Sequence, residues 1–276
     1  MLYKKDELKK VQIVALTILK EVARICDQEN ISYFIIGGTA LGAVRHGGFI
    51  PWDDDIDIGM TRENYEKFLR ISPGKLGKDY FLQHYSTESV TPFYFAKVRM
   101  NNTLFVEDYC KDLPIHHGIF LDIFPYDNIP DNIALRENHR RKVKFYSELF
   151  ISKSMKDVFT SVKSFCWAMK LIVRRSLYLA LFCISKQVLF RILDKANRKY
   201  NTVECQYVNY VKYPFLKIRK ESITSLEKIV FEDTVFSCCK NLNEYLSDHF
   251  GNYMKLPEPE KRVNHRPVII EFSSSK

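Results

Sequence analysis

Two aspartates separated by a single residue are the clearest sign of chemistry in the sequence. Asp55 and Asp57 lie in residues 55–60, where polar and apolar side chains alternate. This alternation predicts a β-strand that carries both carboxylates on one face, about 7 Å apart. Two carboxylates at that spacing repel each other, and Mg²⁺ removes the repulsion while keeping coordination positions for phosphate oxygens. The pair therefore indicates a metal-dependent phosphoryl-transfer site, with an exposed acidic turn as the alternative interpretation.

A third acid, Asp122, stands alone in an apolar segment. Residues 118–124 predict a buried strand, and a buried carboxylate without a partner is energetically costly. A metal ion would offset that cost, so we expect Asp122 to complete a three-carboxylate site with Asp55 and Asp57. The alternatives are that Asp122 pairs with an arginine or caps the turn before Pro125.

A double glycine precedes these acids and predicts an anion-binding turn. Residues 32–36 form a short apolar run that ends at Gly37 and Gly38, and Thr39 is placed to cap a helix reaching about residue 46. Such a turn presents backbone N–H groups and a helix N-terminus to a phosphate. It is not a Walker A loop, because no Gly-Lys-Ser/Thr follows. The three residues are therefore candidate substrate contacts.

Two further candidates lie at the end of the same predicted helix. Arg45 can bind a phosphate through two parallel hydrogen bonds, and His46 follows it directly. The alternative is that both cations only complement the negative end of the helix dipole. We include both residues among the candidate substrate contacts.

Hydrophobic periodicity outlines the elements that must position these residues. Apolar side chains spaced three and four apart over residues 7–27 predict an amphipathic opening helix, and Thr61 is placed to cap a later one. Residues 94–100 predict another strand. Beyond about residue 134 strand signals fade, and helical patterns continue to a last helix near residues 233–250. The pattern is typical of an α/β protein with a helix-rich second half.

Composition indicates a folded protein from a reducing compartment. The chain has 276 residues, 46% of them hydrophobic, which is enough for a large core. Its seven cysteines include no Cys-x-x-Cys pair, so neither a disulfide framework nor a zinc site is indicated. Charged residues near the amino terminus argue against a signal peptide. We therefore expect a cytoplasmic location.

The basic character of the chain is regional. The net charge is +9, and residues 136–199 hold sixteen Lys and Arg against four acids. Residues 159–193 alternate apolar stretches with cations, but the longest uncharged run, residues 176–185, has ten residues where about 20 span a bilayer. We expect peripheral contact with the inner face of a membrane through residues 159–193, or helices packed on the catalytic part with a solvated basic face. Nucleic acid is not expected as a partner, because no recognisable binding module is present.

The segment around the acidic pair closely resembles the signature of the LicD family. Residues 37–58 read Gly-Gly-Thr-Ala-Leu-Gly-Ala-Val-Arg-His-Gly-Gly-Phe-Ile-Pro-Trp-Asp-Asp-Asp-Ile-Asp-Ile. The resemblance spans about residues 30–130 and 228–266. Further matching segments are residues 95–99 with Thr103, residues 118–125, and residues 245–265 with Arg262 and His265.

This resemblance implies a nucleotidyltransferase-like fold, with a mixed sheet and flanking helices. Residues 1–134 would form the catalytic core, residues 135–227 a helical basic region, and residues 228–276 a segment packing back on the core. Asp55 and Asp57 match the Asp-x-Asp metal ligands of the family, and Asp122 is the candidate third carboxylate.

The resemblance also implies a reaction. Better-known members of the family move phosphocholine from CDP-choline onto sugars of teichoic acid, lipopolysaccharide or related glycans and release CMP. We therefore expect transfer from a CDP-linked donor to a glycan or lipid-linked oligosaccharide, with one or two Mg²⁺ ions, or Mn²⁺ in their place. The alternatives are a CDP-ribitol or CDP-glycerol donor, an NTP-dependent nucleotidyltransferase, and a non-catalytic membrane-associated scaffold.

Three cations complete the expected site. Lys97 and Arg99 are candidates for neutralising charge in the transition state, and the alternative for each is a solvated surface cation. His265 is a candidate substrate contact through the terminal motif, and the alternative is an ordinary surface histidine.

Overall fold

The fold is described from a computed structural model that covers residues 3–4, 6–154, 176, 183–210, 217–265 and 267–272. The helices are α1 (Glu7–Gln28), α2 (Gly37–His46), α3 (Arg62–Ile71), α4 (Ile133–Ser154), α5 (Lys186–Asn197), α6 (Lys220–Thr224) and α7 (Leu242–Phe250). The strands are β1 (Phe34–Ile35), β2 (Asp57–Thr61), β3 (Tyr80–Gln83), β4 (Ala96–Met100), β5 (Leu104–Val106), β6 (Phe120–Ile129), β7 (Tyr207–Asn209), β8 (Ile218–Arg219), β9 (Leu226–Phe231), β10 (Thr234–Cys239) and β11 (Ile269–Glu271).

A mixed sheet forms the centre of the molecule. Its main path runs in the order β3-β4-β6-β2-β1-β10-β9, with β7 beside β6 and β8 beside β7. The β2–β6 and β1–β10 pairs are parallel, and the other pairs of this sheet are antiparallel. The terminal strand β11 pairs separately with β5. The α/β prediction, with a mixed sheet and flanking helices, is confirmed.

The predicted opening helix is present and covers the sheet. Val11, Ala15, Ile18 and Val22 are fully buried at spacings of three and four, and α1 packs against β4 and β6. The predicted cap of the next helix is also present, since the Thr61 hydroxyl accepts a hydrogen bond from the Asn64 amide at the start of α3.

The prediction that strands fade beyond residue 134 is wrong. Strands β7 to β11 all follow that point, and four of them, β7 to β10, belong to the central sheet. The last helix is accordingly shorter than predicted, because residues 234–239 form β10 and not a helical turn. The reason is tertiary: β10 buries Phe236 and Cys238 while lying parallel to β1.

The described part of the basic region packs on the sheet. Val143 and Phe150 of α4 and Leu189 and Leu193 of α5 share a buried apolar cluster with the sheet residue Ile129. Most of the predicted membrane-contacting segment, residues 159–175 and 177–182, lies outside the described residues. Among the helices that the structure describes, none is long and apolar enough to cross a bilayer. The three-part division at residues 134 and 227 stays a prediction.

Candidate functional site

The register of the sheet places three charged side chains in one row. Asp57 of β2 lies opposite Asp122 of the parallel strand β6, and Lys97 of β4 lies opposite Asp122 on its other side. Residues directly opposite each other in a sheet project from the same face. The Lys97 Nζ atom is 2.7 Å from Asp122 Oδ1, and both side chains are buried. The lone acid of the apolar strand is therefore paired with a lysine.

The double glycine lies beneath two of the acids. A Cβ atom on Gly38 would lie 2.7 Å from Asp53 Oδ2, and one on Gly37 would lie 3.4 Å from Asp57 Oδ2. Gly37 also has a positive φ of 54°, which glycine adopts without strain. The two glycines thus let carboxylates approach the start of α2, where the helix dipole favours negative charge. The turn predicted to bind a phosphate therefore lies against the acids Asp53 and Asp57, and its contact with substrate stays a prediction.

Thr39 has a different role from the one predicted. Helix α2 begins at Gly37 with Ile36 as its N-cap, so Thr39 is inside the first turn and not the cap. Its hydroxyl accepts a hydrogen bond of 2.9 Å from the backbone N–H of Asp57. The Gly37 N–H donates to the Tyr245 hydroxyl at 2.9 Å. The first bond joins α2 to β2, and the second joins the glycine turn to α7.

Burial and mutual repulsion raise the pKa values of the acids. Burial, followed by the charges of Asp55 and Asp122, raises the pKa of Asp57 well above its usual range. Burial raises the pKa of Asp53 to about 8, with the neighbouring Asp55 charge adding to the effect. For Asp122, burial raises the pKa to about 6 even though the Lys97 charge opposes it. A cluster of this kind needs a cation to hold all its carboxylates ionised.

A cavity of about 490 Å³ opens onto this row. Five of the predicted site residues line it, and they are Asp55, Asp57, Lys97, Asp122 and His265. The lining residues are Asp55, Asp57, Pro92, Phe93, Tyr94, Phe95, Lys97, Glu107, Tyr109, Asp122, Phe124, Ser147, Phe150, Ile151, Tyr210 and His265.

His265 reaches the site from the distant end of the chain. Its Nδ1 atom lies 2.8 Å from Asp54 Oδ1, and its Nε2 atom lies 3.7 Å from Asp55 Oδ2. Burial alone lowers the pKa of His265, but the hydrogen bond to Asp54 and the nearby carboxylate charges outweigh it and raise the pKa to about 10. The Tyr3 hydroxyl also donates to Asp54. Asp54 therefore fastens both ends of the described chain beside the acidic pair.

Three predicted substrate contacts do not line the cavity. Arg45 donates to the Tyr253 carbonyl at 2.9 Å and to the neighbouring ring of His46, also at 2.9 Å. Arg99 is 1% exposed, because its guanidinium donates to Gln83 Oε1 and to a backbone carbonyl. Gly37, Gly38 and Thr39 do not line the cavity either, and the substrate contacts of all these residues stay predictions.

Several residues at the site were not predicted. Glu107 follows β5, is buried, and lines the cavity, but a single acid after a short apolar strand carries no sequence signal. Asp53 and Asp54 lie within residues 37–58, directly before Asp55, so their position in the family signature indicates that they belong to the site. Tyr245 lies in the terminal motif, where only its contact with Gly37 reveals its role.

The residues present fit a divalent cation. Carboxylate oxygens are the ligands that Mg²⁺ prefers. Among the described residues, no ion pair is formed by the Asp57 carboxylate, so its charge has no compensating partner at short range. Within the described part of the chain, Asp54, Asp55 and His265 form a set of three possible ligands whose atoms all lie within 4.8 Å of one another. Asp54 is engaged by Tyr3 and His265, Asp122 by Lys97, and Asp55 lies 3.7 Å from His265. The metal roles of Asp55, Asp57 and Asp122 stay predictions.

Comparison with known proteins yields consistent matches. Residues 30–156 match the family model described as LicD/FKTN/FKRP, nucleotidyltransferase domain. The lipopolysaccharide cholinephosphotransferase LicD of Haemophilus influenzae is 30% identical over 95% of this chain and 97% of its own length. The ribitol 5-phosphate transferase FKRP of Mus musculus is 42% identical over 53 residues, which are 18% of this chain and 11% of that protein.

Proposed function

The chain belongs to the LicD family, and from this premise we propose that it transfers phosphocholine from CDP-choline to a sugar hydroxyl of a cell-surface glycan or of its lipid-linked precursor, releasing CMP. It is a phosphotransferase of the LicD type, and phospho-alcohol transfer to glycans is the activity that its relatives support. The observation that carries the proposal is the convergence of Asp55, Asp57, Lys97 and Asp122 on one cavity.

Asp55 and Asp57 would hold Mg²⁺ in this proposal. When bound, the ion neutralises charge on the donor phosphates and polarises the phosphorus–oxygen bond that breaks. Gly37 and Gly38 let the carboxylates of Asp57 and Asp53 lie close to the positive end of α2. The positive end of α2 thus stabilises a cluster of carboxylates that can bind a cation.

Lys97 and Asp122 supply the remaining groups. The acceptor hydroxyl oxygen forms a bond to the phosphorus that carries choline, the bond from that phosphorus to the oxygen of CMP breaks, and CMP leaves with the electron pair. Asp122 accepts the proton of the acceptor hydroxyl, and the Lys97 ammonium at 2.7 Å favours its ionised form beforehand. Lys97 also offsets negative charge on the transferring group.

A CDP-ribitol donor is the second candidate. It is favoured by the similarity to the ribitol 5-phosphate transferase FKRP, although that similarity covers 18% of the chain and the cholinephosphotransferase matches 95%. The same acids and lysine would serve either donor, because both carry the same pyrophosphate. Only the part of the cavity that contacts the alcohol distinguishes them.

The test is a donor comparison with product analysis. The full chain is incubated with Mg²⁺, a glycan acceptor and CDP-choline, CDP-ribitol, CDP-glycerol or CTP, and the products are analysed by mass spectrometry. We expect CMP together with an acceptor whose mass has increased by one phosphocholine. Release of pyrophosphate from CTP, with no CMP from any CDP-alcohol, would contradict the proposal and favour a nucleotidyltransferase.

A further inference from the structure

A row of aromatic rings lies next to the row of charges on the same face of the sheet. Phe124 follows Asp122 by two residues on β6, and Phe95 precedes Lys97 by two residues, directly before β4. Side chains two apart on a strand project from the same face. Continuing the register of β4 and β6 places the two phenylalanines opposite each other, and their ring centroids are 4.5 Å apart.

A third ring extends this row into a cage-like wall. The ring of Tyr210, directly after β7, lies 4.9 Å from Phe124 and 6.0 Å from Phe95. The planes of these rings differ by 56° and 87° from that of Tyr210, so the rings face the cavity from different directions. All three line the cavity, and further rings in its wall are Phe93, Tyr94, Tyr109 and Phe150.

The same wall already holds a cation on ring faces. The Lys97 ammonium lies 3.5 Å from the centroid of Phe120, 4.7 Å from Phe93 and 5.4 Å from Phe95. These distances are within the range in which ring quadrupoles attract positive charge. Buried Glu107 adds a negative charge to the cavity. The Asp122 carboxylate, 2.7 Å from the Lys97 ammonium, offsets that positive charge, so the ring faces and Glu107 favour a cationic group.

A polyol would find few hydrogen-bond partners beside Phe95, Phe124 and Tyr210. Each of its hydroxyls would lose water on entering and would need a hydrogen-bond partner there. The hydroxyls of Tyr94 and Tyr109 are used by Asp194, at 2.9 Å, and by Glu107, at 3.0 Å. The other hydroxyls among the lining residues belong to Ser147 and Tyr210. Phe95, Phe124 and Phe150 offer no hydrogen bond. The wall therefore disfavours ribitol or glycerol relative to an apolar cation.

We propose that Phe95, Phe124 and Tyr210 form the subsite for the quaternary ammonium group of the donor, while its phosphates lie at the row of Asp57, Asp122 and Lys97. Two residues along a strand separate these rows by about 7 Å, a span that one phosphocholine group, with its two-carbon spacer, bridges. The inference rests on the proposed function, and it assigns the choice between choline and polyol donors to three ring side chains.

The decisive probe is a pair of donors that differ in charge alone. In CDP-3,3-dimethylbutanol a carbon atom replaces the ammonium nitrogen of CDP-choline, so shape and apolar surface are retained. Binding of each to the full chain is measured by calorimetry with Mg²⁺ and without acceptor. We expect the wild type to bind CDP-choline about tenfold more tightly than the neutral analogue.

Two variants test whether these rings cause the preference for CDP-choline over the neutral analogue. Phe124→Leu and Tyr210→Leu each keep an apolar side chain but remove a ring face, so each should reduce the tenfold preference to about twofold or less. The two residues lie on different elements, and thermal melts identify any variant that fails to fold. Phe145→Leu is the matched control, because that ring is 56% exposed on α4 and does not line the cavity; its preference should equal that of the wild type.

Equal binding of the two donors by the wild type would overturn the inference, and so would a preference unchanged in both folded cavity variants. An increase in the acceptor KM alone would likewise contradict it and assign the rings to the glycan. These outcomes are separate from failure of the proposed function, which is read from CMP release. A charge preference without transfer would retain the subsite and reject the reaction, whereas transfer without a charge preference would do the reverse.

Discussion

Lys97 is set apart from the other cations by its surroundings. It is 2% exposed, ion-paired with Asp122, and enclosed by the rings of Phe93, Phe95 and Phe120. Removing an ammonium group from water is costly, and here the carboxylate and the ring faces offset that cost. The result is a positive charge held at the cavity wall, where it strengthens interaction with phosphate because little water screens it.

Replacement of Lys97 should lower both the activity and the stability of the protein. Lys97→Met removes the charge, so we expect kcat to fall about 100-fold at saturating donor. It also leaves the buried Asp122 carboxylate without its ion pair, which should lower the melting temperature. Lys67→Met is the control, since Lys67 donates to the carbonyls of Glu29 and Asn30 outside the cavity and should change stability but not kcat. A Lys97→Met enzyme with wild-type kcat would contradict this role.

Asp57 should be required for both metal binding and activity. Asp57→Asn removes one ligand charge but keeps the side-chain shape, and we expect kcat/KM to fall by at least about 100-fold. Mg²⁺ should raise the melting temperature of the wild type, because binding to the folded state stabilises it, and should do so much less in the variant. Asp233→Asn, at a surface ion pair with Lys20, is the matched control. Full activity in Asp57→Asn would remove the metal-site argument.

At the scale of elements, α2 and the loop that follows it are packed without room for a side chain. A Cβ atom on Gly42 would lie 2.4 Å from the Gly48 carbonyl oxygen and 3.1 Å from the Ile50 amide nitrogen. Both neighbours are backbone atoms, which cannot rotate away. This contact positions the loop that leads from α2 to the acidic segment, so it links packing to the geometry of the site.

Gly42→Ala should therefore reverse the usual helix propensity. Alanine inside a helix is normally more stable than glycine by up to about 1 kcal/mol. Here we expect a loss of about 2 kcal/mol in the free energy of unfolding, because the helix and loop must separate. Urea denaturation measures the effect. Gly74→Ala is the control, since nothing lies within 4 Å of its Cβ position, and equal stability of both variants would contradict the packing argument.

At the scale of the whole molecule, His84 connects the sheet to two helices. It follows β3, is buried, and its ring contacts Tyr65 of α3 and Phe190 of α5 edge-on. Burial lowers its pKa from 6.5 to about 4, so the folded protein keeps the ring neutral where the unfolded chain would protonate it. Stability from this histidine is therefore complete above pH 6.5 and is lost as the pH falls from there towards 4.

The pH dependence of unfolding should reveal this contribution. We expect His84 alone to cost about 2 kcal/mol of stability between pH 7 and pH 5. In His84→Gln that part of the pH dependence should disappear, whatever the variant's stability at pH 7. Chemical denaturation of both proteins at the two pH values measures it, and their difference cancels the titration of the site carboxylates. Identical pH dependence in the two proteins would show that His84 is not neutral in the fold.

The sequence alone was sufficient for features that depend on neighbours along the chain. The spacing of apolar residues predicts α1, and the Thr61 hydroxyl predicts the cap of α3. Alternation predicts β2 only in part, because the strand begins at Asp57 and Asp55 lies before it. These features are local because a helix or strand has a fixed period, whatever it packs against. The family signature is local as well, since residues 37–58 are continuous.

Only the tertiary structure decided which side chains meet. The antiparallel register of β4 and β6 pairs Lys97 with Asp122, and that register depends on both strands together. His265 reaches Asp54 across 211 residues. Arg99 lies two residues from Lys97 on the same strand, yet its guanidinium donates to Gln83 and Arg99 does not line the cavity. Periodicity determined the face on which each residue lies, whereas strand pairing and burial determined its partners, because those contacts join segments that the sequence separates.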